Sequence, residues 1–155
     1  MPIRNPADLI AALAKGQRLM GLDVGEKTIG IAVSDTTFTI ATPVETLQRK
    51  KFTTDVERLK ALVIERQAGG FVLGLPINMD GSEGPRCQSV RAFANNLLGK
   101  LDLPLAFWDE RLSTAAVTRT MIDADLSRER RAELVDKLAA AYILQGFLDR
   151  QKAGR

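Results

Sequence analysis

At 155 residues, 45% of them apolar, the chain has the length of one globular domain and enough apolar side chains to fill its core. It has no histidine, which excludes a Ser-His-Asp triad, an imidazole base and histidine metal ligation, so any hydrolysis must use carboxylates, lysine, serine or a metal. The net charge of +3 permits a phosphate-rich partner without requiring one.

No apolar run reaches the ~18 residues that span a bilayer, and Met1 to Lys15 carries Asp8 within its short apolar stretch, unlike a signal peptide. The expected compartment is therefore the cytoplasm. The one cysteine, Cys87, has no thiol partner and reads as a reduced packing residue.

In chain order, Asn5 to Lys15 reads as a short helix, with Pro6 at its first position, a stripe of Leu9, Ile10 and Leu13, and Gly16 as its stop. Three β-rich runs follow, Arg18 to Val24, Thr28 to Ser34 and Thr39 to Leu47, joined by connections short enough for an antiparallel meander. From Phe52 to Gln67 the period is helical, and Gly69-Gly70 is the expected terminator. Phe71 to Leu75 and Leu103 to Trp108 read as buried strands on either side of a helix that starts at Pro85 and runs to about Lys100. Ser113 can cap a helix to about Ala124, and Ser127 a longer one reaching about Gln151. The order predicts one α/β domain over residues 1–155: a five-stranded mixed sheet, with a three-strand antiparallel meander, two parallel strands and helices on both faces.

Acids stand at three places where chemistry is plausible. Asp23 ends an apolar strand before the turn Gly25-Glu26-Lys27, where it either faces a ligand or merely caps a hairpin. Asp109 and Glu110 emerge from the end of a buried strand, the side of an α/β sheet on which ligands bind. Adjacent side chains point to opposite faces, so at most one of that pair shares a cleft with Asp23. Asp136 falls on one helical stripe with Ala140, Ile143 and Phe147, and no basic residue lies three or four positions away to neutralise it. Hard cations such as Mg²⁺ take oxygen ligands, so three such acids could serve hydrolysis without histidine.

Several motifs in this order resemble one family. They are Asp23-Val24-Gly25 with Ile29-Gly30-Ile31-Ala32 and Ser34-Asp35; Gly74-Leu75-Pro76 with Asp80-Gly81-Ser82; Trp108-Asp109-Glu110-Arg111-Leu112-Ser113-Thr114; and Asp136-Lys137 with Ala139-Ala140 and Ile143-Leu144-Gln145. From about Arg18 to Arg150 the chain is similar to the YqgF/RuvX proteins, pre-16S ribosomal RNA nucleases or Holliday-junction resolvases. The resemblance implies a ribonuclease H-like fold and a cytoplasmic nuclease whose catalytic, metal-binding acids are Asp23, Glu110 and Asp136, loaded with Mg²⁺ or Mn²⁺. Many ribonuclease H-like nucleases carry an acid at the end of the fourth strand. Here Gly74-Leu75-Pro76 stands there, so the second carboxylate must be Glu110.

The expected substrate is structured RNA, with processing of pre-16S rRNA preferred, or branched DNA. Lys27, Arg86, Arg111 and Arg119 are candidate phosphate contacts. Arg49-Lys50-Lys51 and the stretch from Arg128 to Arg131 are further basic clusters. With Trp108 in a strand and Tyr142 in a buried helix, no base-stacking platform is expected. The apolar circumference of the last helix leaves room for a homodimer beside a monomer. The rival readings are a non-catalytic nucleic-acid-binding module and, last, an actin-like ATPase, whose two domains exceed this chain.

Overall fold

The computed structural model describes residues 3–112 and 128–153. Five strands, β1 (Arg18–Val24), β2 (Thr28–Ser34), β3 (Ala41–Gln48), β4 (Ala68–Leu75) and β5 (Leu105–Asp109), form one sheet in the order β3-β2-β1-β4-β5. β3, β2 and β1 are antiparallel neighbours, whereas β4 and β5 run parallel to β1. This is the mixed sheet expected from the element order. The helices are α1 (Pro6–Leu9), α2 (Phe52–Arg66), α3 (Pro85–Leu98) and α4 (Arg128–Ala153). The expected helix from Ser113 lies outside the described residues.

Strand alternation sorts the core into two layers. Met20, Leu22 and Val24 of β1 join Phe71, Leu73 and Leu75 of β4 beneath α2 and α3. Leu19, Ala32, Val72, Ala106 and Trp108 face Ala140, Ile143, Leu144 and Phe147 of α4. Trp108 and Phe147 meet edge to face with centroids 6.1 Å apart.

α4 lies close on the sheet because the strands present a glycine beneath it. A Cβ on Gly21 would come within 2.8 Å of the Leu144 Cβ and 3.1 Å of the Ala140 carbonyl oxygen. Gln145 then fixes the helix along its length: its Oε1 accepts from the Ala41 N–H at 2.9 Å and its Nε2 donates to the Thr39 carbonyl at 2.9 Å.

Some boundaries differ from the sequence reading. α2 ends on Gln67 in the left-handed region, φ 57°, and Gly69-Gly70 belongs to β4 rather than to a helix stop. The two glycines serve close packing instead, since the Gln17 side chain lies across Gly69 and Leu13 across Gly70. The first helix is a single turn continued by a 3₁₀ turn, Ile10–Ala12. The residues before it cover the sheet edge: Ile3 bridges Leu105, and the Arg4 N–H donates to the Leu105 carbonyl at 2.7 Å. Cys87 is buried and free, as expected, and burial pushes its thiol pKa up.

Among the described residues no helix is long and apolar enough to cross a membrane. Overpacking at the helix–sheet contact should be costly: Gly21→Val is expected to lose about 1–3 kcal/mol, read as a lower urea midpoint at unchanged m-value. A midpoint equal to wild type would show that α4 does not rest on this strand.

Candidate active site at the carboxyl ends of the parallel strands

Because β1, β4 and β5 are parallel, their last residues emerge along one edge of the sheet. Asp23 is the penultimate residue of β1 and is only 7% exposed. It stands two residues beyond Gly21, hence on the face that carries α4. Its partner across the antiparallel pair is Gly30. On the other side the parallel register, Leu22 opposite Leu73, brings Gly74 to the next level, and Gly74 pairs with Trp108. Both lateral neighbours of Asp23 thus lack a side chain.

Glu110 follows the end of β5 and opens a 3₁₀ turn, Glu110–Leu112. It reaches toward the same glycine, since a Cβ on Gly74 would lie 3.2 Å from the Glu110 Cγ and 2.6 Å from the Ile143 Cδ1. The structure therefore gathers Asp23 and Glu110 on either side of Gly74, with Ile143 of α4 as the wall.

Strand alternation gives Asp109 the opposite face, and its charge is already answered. Its Oδ2 pairs with the Arg111 Nη2 at 2.7 Å, and its Oδ1 accepts from the Arg111 N–H at 2.9 Å. The Arg111 guanidinium holds the Asp109 carboxyl below the usual range. Arg111 Nη1 also lies 3.4 Å from the carbonyl oxygens of Asn78 and Met79. That loop is built by the Asp80-Gly81-Ser82 motif, in which Asp80 Oδ1 accepts from the Ser82 N–H at 2.9 Å and Gly81 takes φ 91°.

The remaining candidates separate. Lys27 is exposed in the turn after Asp23. Arg86 is exposed at the start of α3, on the face opposite α4. Asp136 falls within α4, one turn before Ala140, and its side chain lies outside the described set. Arg119 also lies outside the described residues, as do Arg128 to Arg131 as side chains. Tyr142 corrects the expectation of a buried helix: it is 37% exposed and lines a cleft with Trp108 and Leu112.

Residues 17–150 match the family model for RuvX, Holliday junction resolvase. The chain belongs to the RuvX family. A Paramagnetospirillum magneticum protein named "Putative pre-16S rRNA nuclease" is 64% identical over 149 residues, 96% of each chain. A Roseobacter denitrificans protein of the same name is 60% identical over 152 residues, 97% of this chain and 93% of that one. Among solved structures, Thermus thermophilus RuvC in complex with a Holliday junction aligns with a TM-score of 0.53 at 12% identity, covering 88% of this chain and 96% of that one. The yeast mitochondrial Holliday junction resolvase aligns with a TM-score of 0.51 at 10% identity, covering 95% and 84%. This RuvX-family chain has the ribonuclease H-like fold that its motifs implied.

The Asp109–Arg111 pair has a pH signature. A carboxyl whose pKa is lowered by folding adds stability that is present above its unfolded value, about 3.9, and is lost as pH falls through the folded value. The stability gap between wild type and Asp109→Asn in urea denaturation should therefore stand at pH 7 and close as the pH falls below about 4. A gap that does not change with pH would dismiss the pair.

Proposed function

We propose that the chain is a cytoplasmic, single-domain, metal-dependent nuclease that hydrolyses phosphodiester bonds in structured RNA, with the 5′ end of pre-16S rRNA as substrate and Asp23, Glu110 and Asp136 as its acids. The observation that carries this reading is the placement of Asp23 and Glu110 about the bare Cα of Gly74, at the carboxyl edge of the parallel strands. The name of the P. magneticum relative supports RNA as substrate. The family description supports branched DNA as the second reading.

The donor set fits a hard divalent ion. It consists of carboxylates without thiol or imidazole, and Mg²⁺ is commonly held by one or two carboxylates, with water and phosphate oxygens completing the shell. Among the described residues no three acids or thiols gather. The third acid of the proposal is Asp136, which lies within α4 one turn before Ala140 and two before Ile143 in the sequence.

When bound, Mg²⁺ or Mn²⁺ supplies positive charge to the phosphate and a lowered pKa to attacking water. The protein's own contribution is placement. Asp23 is buried on a rigid central strand with glycine on both sides, so phosphate oxygens can approach its carboxylate. Glu110, on the turn after an outer strand, closes the other side. Ile143 and Trp108 supply an apolar wall beside the acids, where charge interactions are stronger than in bulk water.

With Mg²⁺ or Mn²⁺ the wild type is expected to cut structured RNA or branched DNA, and chelation should abolish cutting. Asp23→Asn and Glu110→Gln should each lower the rate by roughly a hundredfold or more, since even outer-shell partners of metal ligands are worth about 10- to 100-fold. Wild-type rates in both variants would refute the assignment. Gly74→Ala should cost roughly 10- to 100-fold, because a misplacement of ~1 Å costs that much. An unaltered rate there would mean that the glycine does not position Glu110.

A further inference from the structure

On the face opposite α4, a cleft of about 680 Å³ opens beside the same strand end. Its lining includes Gly25, Glu26, Arg49, Lys50, Arg86 and Phe93. Three cations thus face one acid. Among the described residues, neither Lys50 nor Arg86 has a carboxylate partner for its side chain, and both are exposed.

The cleft is built rather than accidental. Arg49 Nη1 donates to the Gly25 carbonyl at 2.6 Å, and its guanidinium stacks 5.3 Å from the centroid of Phe93. The Lys50 N–H donates to the buried Asp55 carboxylate at 3.0 Å, which fastens the basic segment to the first turn of α2. Arg86 stands in the first turn of the 14-residue α3, whose start has no side-chain cap, so its dipole adds to the positive field.

We infer that this cleft holds backbone phosphates of a single-stranded segment adjoining the bond presented to Asp23 and Glu110, which rests on the nuclease reading above. Val24 and Gly25 line the cleft and directly follow Asp23, yet Asp23 faces α4 while Val24 packs on the α2–α3 side. Asp23 and Gly25 stand two residues apart along the chain, about 7 Å, so a strand occupying both sites must turn from one face of the sheet to the other at the end of β1. A stiff duplex, such as DNA with a persistence length of ~150 bp, does not turn so sharply, whereas a single strand does. Phe93 is buried under Arg49, so the cleft offers charge and shape without a stacking surface.

The test is fluorescence anisotropy, without divalent metal, on an RNA hairpin with and without a single-stranded tail. Wild type should bind the tailed hairpin about tenfold more tightly. The Lys50→Ala/Arg86→Ala double variant should lose most of that preference, and the slope of log K against log salt should fall by about 1.4, the value for two single-strand phosphate contacts. Lys60→Ala, an exposed cation on α2, controls for net charge and should change neither quantity. Matching thermal melts exclude misfolding.

No tail preference in the wild type, a preference retained by the double variant, or its abolition by Lys60→Ala would overturn the inference. A cleft-dependent tail preference in a protein that never cuts supports the cleft and counts against the nuclease reading alone.

Discussion

The close approach of α4 to the sheet is the contact on which the rest of the molecule depends. It is possible because Gly21 and Gly74 place bare Cα atoms beneath Leu144, Ala140 and Ile143. A side chain on Gly21 would press on the Leu144 Cβ and the Ala140 carbonyl of α4, and one on Gly74 on the Ile143 side chain. At Gly74 the same absence of a side chain also admits the Glu110 methylene. Packing and the candidate chemistry therefore share one residue, and the wall of the acidic site is the core itself.

Charge is distributed by strand parity. Asp23 and Glu110 fall on the α4 side, whereas Asp109, one residue from Glu110, is committed to Arg111. The cations Lys50 and Arg86 line the cleft on the other side of the same edge. Acids on one face and cations on the other, separated by the end of β1, form an arrangement in which one polyanion can be gripped where it is not cut.

Several residues of the family motifs hold the structure around the candidate site. Gln145 ties α4 to the start of β3, and Asp80 with Ser82 shapes the loop that receives Arg111. Asp35 closes the turn before β3 by accepting from the Thr39 N–H at 2.7 Å. Asp55 clamps the Lys50 N–H at the start of α2, a side-chain contact that the apolar period of the helix does not encode. Arg111, a candidate phosphate contact in the sequence, has its guanidinium against Asp109 and the carbonyl of Met79 in this structure.

The sequence by itself determined the class of fold, the sheet's division into meander and parallel strands, and the placing of Asp23 and Glu110 at strand ends. These follow from local facts: apolar period, turn residues, and acids at the ends of apolar runs. It did not determine that Gly69-Gly70 is strand rather than helix stop, nor that Tyr142 is exposed, because both depend on what approaches from elsewhere in the chain. Only the tertiary structure brought Asp23 and Glu110 to opposite sides of Gly74 and set a basic cleft behind them. Those placements come from the register of β1 against β4 and β5, a long-range pairing that no local pattern specifies.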